Sequence, residues 1–332
     1  MKKAIQIIVS VLLFIACGYY FYHQVNDNKE QLKEILHEIP QLSGHIIISM
    51  LLFYVAVAIR AWRWNIMLNV KNTFWVSYRS IAIGYLVQSP LSKLGEVVRI
   101  TNQISYTDKS KGEIVSTVFV DRLLDFISLA TILFLSLILT GDKLEKNFPE
   151  IASLAPILGG IVFLGILGLI VFILMRNSIL DFLKNTKVFP DWFKNRLVNF
   201  ASSFITGLSC VKSPKVLFLF LITSILIWIC YFISYFVIIC FFSFTVNKLD
   251  SADIVFSFVC STLGAIIPVP GGLAYPIAIE KSLFFVLGSE QITKPQALGI
   301  GLVCYFCILW IANIINGGIS FLYQVFAKKK TT

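Results

Sequence analysis

Ten apolar stretches alternate with polar ones along this chain, and their lengths fall into two classes. Six of them, 4–22, 42–59, 114–140, 151–175, 214–244 and 296–326, come close to or exceed the roughly 20 mostly apolar residues that carry a helix across a bilayer. The other four, 76–87, 91–104, 253–267 and 277–287, are too short to cross and form two pairs. Gln88-Ser89-Pro90 breaks the first pair, and Pro268, Pro270, Gly271, Gly272 and Pro276 break the second. Proline removes a backbone donor and clashes with the preceding turn, while glycine frees the backbone to bend. Half-length helices on either side of such a break predict a segment that enters the membrane and returns. Non-helical backbone at that depth survives only where protein buries it or where it lines a wet cavity.

The order is span, span, broken pair, span, and it occurs twice. With the first pair entering from one side and the second from the other, the halves form an inverted repeat of 1–140 and 151–326, with function at the breaks. The predicted fold is therefore an all-helical polytopic membrane protein with about six full spans and two re-entrant helical hairpins in one transmembrane domain over 1–332.

Composition agrees: 57% of the 332 residues are hydrophobic and 14% charged, and the mean hydropathy is +0.83. The net charge of +10 comes from 28 Lys and Arg against 18 Asp and Glu. Most of those cations fall on the side of the N-terminus once the spans are threaded, so both termini are expected in the cytoplasm. No basic stripe with interleaved aromatics lies outside the apolar runs, so a nucleic-acid partner is not expected. Residues 176–213 mix Lys and Arg with Phe189, Trp192, Phe193 and Phe200. They read as an amphipathic segment on the cytoplasmic membrane surface, a possible dock for a separate soluble lipid-modifying enzyme. The 4–22 run continues past Cys17 into Gly18-Tyr19-Tyr20-Phe21-Tyr22 and is expected to remain an uncleaved first helix.

Six of the seven cysteines lie inside apolar runs, so no disulfide framework is expected, and Cys304 and Cys307 read as packing residues. No metal or cofactor is predicted. There is no HExxH, Walker or GxSxG pattern, and no loop is large enough for a soluble catalytic domain.

Charges inside apolar runs cost several kcal/mol unless they meet a partner or a cavity. Glu96 and Arg99 are three apart on a helix and can pair. Asp121 and Asp125 share a helical face, with Arg122 one step round, and two like charges there require a shared cation: Arg99, Arg122, Lys93 or a bound ion. One reading is a structural salt-bridge network. The other makes Arg99, Arg122 and Lys93 a pocket for an anionic head group, since the guanidinium fork matches phosphate. Glu96 and Asp121 then hold those cations or meet a cationic head group. Backbone N–H groups at 269–273 are expected to add anion contacts, with Pro90, Pro268, Pro270, Gly271 and Gly272 as hinge and backbone-contact residues. Glu280 is either a gating carboxylate or a partner of Lys281.

Arg60-Ala61-Trp62-Arg63-Trp64, then Gln88-Ser89-Pro90 with Gly95, Glu96 and Arg99, then Asp121-Arg122 with Asp125, then Pro268-Val269-Pro270-Gly271-Gly272-Leu273 stand in a telling order. Together they resemble the lysylphosphatidylglycerol synthase transmembrane-region family, also described as flippase-like membrane proteins. The resemblance covers nearly the whole chain. Gln88 and Lys93 stand near a family Asn and Arg, and Asp121 replaces a family Glu. Ala274 and Ile277 replace a family Gly and Glu, and Glu280 lies a turn later. The resemblance adds Gln88 and Arg63 to the candidate substrate-binding residues and implies a bacterial inner membrane. It also implies movement of an anionic or zwitterionic phospholipid, or a polyprenyl-phosphate lipid, between leaflets. The alternatives are an integral-membrane transferase acting on a lipid-linked substrate through Asp121 and Asp125, and a scaffold for a separate synthase.

Overall fold

A computed structural model describes residues 29–69, 74–91, 94–139, 214–243, 245–267 and 269–329, with isolated positions besides. The predicted spans 4–22 and 151–175 and the surface segment 176–213 lie outside the described residues apart from such isolated positions, and so do Lys93 and Pro268. Among the described residues there is helix and no strand. The helices are α1 (Lys29–Glu38), α2 (Ser43–Leu68), α3 (Phe74–Gln88), α4 (Leu94–Ile104), α5 (Lys111–Leu139), α6 (Pro214–Ile239), α7 (Ser251–Ile266), α8 (Ala274–Leu287), α9 (Lys294–Cys304) and α10 (Ala312–Lys329). A π-helical segment, Tyr305–Ile311, joins α9 to α10 as one span.

Among the described residues four helices are long and apolar enough to cross a membrane: α2, α5, α6 and the α9–α10 span. Local chemistry fixes where several elements begin. Ser110 with Glu113, Asp250 with Asp253 and Thr293 with Gln296 each exchange side-chain and backbone hydrogen bonds across the first turn of α5, α7 and α9. Such capping boxes satisfy donors that a helix start leaves open. Buried share separates the spans: 61% of the most apolar window of the α9–α10 span is buried, against 17–33% for the others. The last span thus runs through the middle. The others turn Ile47, Leu51 and Val55 of α2, and Phe218, Leu221 and Ile225 of α6, outward. That exposure suits hydrocarbon and not water.

The span expected to stop at residue 59 instead continues to Leu68 and ends at Asn69 in the left-handed conformation, φ 49°. Arg60 and Arg63 are therefore buried on a transmembrane helix and not at an interface. The helix can continue because both guanidiniums meet carboxylates of α5, which offsets the desolvation that would have ended the span.

Both broken pairs are helical hairpins, α3 with α4 and α7 with α8. The longest arm is α7, with 16 residues or about 24 Å of helix, short of the roughly 30 Å hydrocarbon core. Each hairpin closes on a glycine. A Cβ built on Gly95 would sit 2.4 Å from the Gly84 carbonyl oxygen, and one on Gly264 would sit 2.7 Å from that of Ala274. Gly84 precedes Pro90 by the same interval as Gly264 precedes Pro270. The start of α8 differs from expectation. Pro276 lies inside its first turn, where the missing N–H is no loss, so the helix begins at Ala274.

The two halves interlock reciprocally. The first arm of each hairpin packs on the last span of the other half, α3 on α10 and α7 on α5, while α2 and α6 pack against each other. At the α2–α6 crossing, Ser49 Oγ donates to the Ser234 carbonyl at 2.8 Å and Ser234 Oγ donates to the Ser49 carbonyl at 2.9 Å.

Candidate functional site

α2 presents Arg60 and Arg63 three residues apart, hence on one face, towards Asp121 and Asp125, which are four apart on α5. Arg60 makes a forked contact to Asp125, Nη1 to Oδ2 at 2.6 Å and Nη2 to Oδ1 at 3.1 Å, and Nη1 also reaches Asp121 Oδ2 at 3.0 Å. Arg63 Nη2 donates to Asp121 Oδ1 at 2.5 Å and to Asp125 Oδ1 at 3.3 Å, and its Nη1 donates to Ser224 Oγ on α6 at 2.7 Å. Arg99 of α4 adds a third guanidinium to Asp121, at 3.0 Å, and lies over the Trp64 ring at 4.0 Å. Trp64 is held in turn by Thr117, at 2.9 Å. Arg122 donates to Asp125 at 3.1 Å and to Glu96.

The cluster holds four guanidiniums and three carboxylates, so among the described residues it carries one more positive charge than negative. Arg60 Nε is buried without a hydrogen-bond acceptor, and so are Arg63 Nε and Arg99 Nε and Nη2. Glu96 Oε2 is a buried acceptor without a hydrogen-bond partner in the same cluster, and unsatisfied buried groups of either kind are expensive. Exposure grades the members: Asp121 and Arg63 are sealed at 0%, whereas the Arg122 side chain is 32% exposed and that of Asp125 15%.

One side of the cluster borders a cavity of about 390 Å³ between the two halves. Arg60, Arg122 and Asp125 line it, while Arg63, Glu96, Arg99 and Asp121 stand behind. Tyr85 of α3 and Tyr231 of α6 flank the charged end. The tips of both hairpins contribute Gln88, Ser89, Gly271 and Gly272. They touch each other directly: the Gly271 N–H donates to the Pro90 carbonyl at 3.3 Å. Gly271 and Gly272 have φ of +76° and +71°, a region that only glycine enters without strain. The π-helical segment holds both tips. Tyr305 donates to the Gly271 carbonyl, and Ser89 Oγ donates to the Leu309 carbonyl at 2.6 Å. Asn313 Nδ2 donates to the same carbonyl at 2.8 Å and to Ser89 Oγ at 3.1 Å. π turns recur at functional sites because they displace a carbonyl from the helical ladder.

A second concavity, about 440 Å³ and mostly apolar, lies between α5, α6 and α7 and is lined by Ile132, Ile225, Ile229 and Phe232 among others. Trp228 and Phe258 line both spaces and meet edge to face at 6.1 Å, forming the partition between them.

The structure thus brings Arg63, Glu96, Arg99, Asp121, Arg122 and Asp125 into one network and sets Gln88 at the cavity. Pro90 sits at the tip contact. Lys93 and Pro268 lie outside the described residues. Glu280 is buried on α8, pairs with Lys281 at 2.9 Å, and does not line the cavity. The expected backbone anion cradle differs in its donors. The N–H groups of Val269, Gly271 and Gly272 already go to the carbonyls of Ile267, Pro90 and Val269. The sequence reading missed Arg60, which joins both aspartates, and the aromatic walls. Its signal was an i, i+3 arginine pair facing an i, i+4 aspartate pair on another helix. The five described cysteines, Cys230, Cys240, Cys260, Cys304 and Cys307, are free. Among the described residues no group of three His, Cys, Asp or Glu is placed to hold a metal ion.

Residues 7–315 match the family model described as the lysylphosphatidylglycerol synthase TM region. No curated protein matches the chain. No solved structure matches it.

Proposed function

The chain belongs to the lysylphosphatidylglycerol synthase transmembrane-region family, and from that premise we propose that it moves a phospholipid or polyprenyl-phosphate lipid, anionic or zwitterionic, between leaflets. It is an integral membrane protein of a family tied to lipid metabolism or transport. The observation that carries the proposal is the meeting of both hairpin tips over a cavity whose far side is an arginine–carboxylate cluster. A polar head group occupies the cavity, with its phosphate at Arg60 and Arg122, while its chains remain in the apolar groove beyond Trp228 and Phe258 and in the bilayer. Reciprocal rocking of the two halves, hinged at Pro90 and at 270–272, opens the cavity to each side in turn. The bacterial inner membrane with cytoplasmic termini is the proposed setting.

Purified protein in vesicles bearing fluorescent phospholipid provides the test, read by quencher access from outside. The protein should accelerate exchange, and Arg122→Ala should slow it by at least about tenfold, the loss expected for a charge-assisted phosphate contact. Unchanged exchange in that variant removes the assigned role. No acceleration with any lipid removes the transport reading. Asp121 and Asp125 each accept from three arginines, so neither is free as a base or metal ligand for the transferase alternative. New lipid mass on incubation would restore that alternative.

A further inference from the structure

The charged cluster does not account for every arginine. Among the described residues Arg60, Arg63, Arg99 and Arg122 each meet a carboxylate, whereas Arg79 meets none. It sits partly buried on α3 and does not line the cavity between the halves. Its Nε is buried without a hydrogen-bond acceptor. Its guanidinium lies over the Tyr323 ring of α10, 4.8 Å from the centroid. Arg79 thus stands across the contact between the first arm of one hairpin and the last span of the other half.

Depth and surroundings indicate the anion it meets. Arg79 is five residues from the start of α3 and Tyr323 six from the end of α10, about 7–9 Å of helix in each case. That is where a bilayer passes from head groups to hydrocarbon. Trp75, one turn before Arg79 on the same face of α3, is 64% exposed, and Tyr323 is 59% exposed. Exposed Trp and Tyr at this level form the aromatic belt of a membrane protein. Ile319, Leu322 and Phe326 beside Tyr323 are exposed too, so this face of α10 is turned to lipid. A guanidinium placed over a ring keeps its in-plane donors free, and that fork fits the oxygens of a phosphate. Lys328-Lys329-Lys330 follow in the sequence, and basic side chains just beyond a span draw anionic lipid.

We infer that the crevice between α3 and α10 holds an anionic phospholipid, its phosphate on Arg79 and Tyr323 and its chains along the outward face of α10. The lipid belongs to the leaflet at the C-terminal end of α10, the cytoplasmic one in the proposed orientation. It is a resident that ties the two halves together, separate from any passenger in the cavity. It binds whether or not the protein moves lipid.

The test is photo-crosslinking of the full-length protein in a neutral detergent, using phosphatidylglycerol with a diazirine beside its head group, and mass mapping of the labelled peptides. Label should appear within 74–79 and 319–326. Unlabelled phosphatidylglycerol should displace it, phosphatidylcholine should need at least about fivefold more, and inorganic phosphate should leave it in place. Arg79→Gln, which keeps a long polar side chain and loses the charge, should lower this labelling by at least about tenfold while circular dichroism stays helical. Arg79→Lys keeps the charge without the planar fork and should restore only part of it. Undiminished label at these peptides in Arg79→Gln overturns the inference. So does full recovery in Arg79→Lys, equal displacement by phosphatidylcholine, or displacement by phosphate alone. Failure of lipid exchange in vesicles would remove the transport reading and leave this site standing.

Discussion

Asp121 has no exposed surface and accepts from three arginines on two helices, so it neutralises charge at the sealed side of the cluster. Removing one member of a buried ion cluster leaves the others uncompensated, which costs about 3–5 kcal/mol. Asp121→Ala is accordingly expected to lower the thermal midpoint of the detergent-solubilised protein sharply. Asp125→Ala, at a position with some solvent contact, should lower it less. A midpoint unchanged by Asp121→Ala would show that the network carries no structural weight. At this scale the sequence was half legible. The demand of two aspartates for a shared cation was visible from their spacing alone, and so were Glu96 with Arg99. Arg99 and Arg122 were legible as cations and each meets one aspartate, but Arg60, which bridges both, was not, because it follows an apolar run at the place where an interface would normally put it. Hydropathy charges an arginine its full desolvation cost and cannot see a partner 61 residues away that removes most of it.

Among the elements, the hairpins were the most legible part. Short apolar runs around Pro and Gly left few other solutions, and all four arms begin and end within three residues of the predicted bounds. The first arm of each pair starts two residues early, α4 starts three residues late and α8 three residues early. What the pattern could not show was the closeness of the arms. With the Gly84 carbonyl so near to where a side chain on Gly95 would begin, Gly95→Ala should push α3 from α4 and destabilise the protein by about 1–3 kcal/mol. Gly44→Ala, with open space around it, is the control and should change little. Tyr305→Phe removes the phenol that holds the Gly271 carbonyl. Its expected effect on global stability is small, about 1 kcal/mol. Amide hydrogen exchange around 269–273 should nevertheless rise, because local opening costs less than global unfolding.

For the whole molecule, the interlocking of halves has a mechanical meaning. Each hairpin rests its first arm on the other half's final span, so neither can tilt without disturbing both. Joining the first hairpin's tip covalently to the last span should therefore arrest lipid exchange. In a cysteine-free background, Ser89→Cys with Asn313→Cys, at side chains now 3.1 Å apart, is expected to stop exchange on oxidation and restore it on reduction. Exchange that persists with this tip fully cross-linked would exclude rocking at this point. The alternation of spans and breaks predicts the two hairpins, but the meeting of their tips depends on contacts between residues more than 170 positions apart. No local pattern encodes such contacts.

The fastening between Pro90 and Gly271 is made of main chain alone, a carbonyl and an amide. Evolution can therefore repaint the side chains around it, and so retune what the chamber accepts, without loosening the clasp. A bond of that kind is worth about 1 kcal/mol, roughly a fivefold bias between joined and parted tips. Thermal motion alone undoes so light a catch, and what keeps the two ends together is then the grip of Tyr305 and Leu309 on each of them.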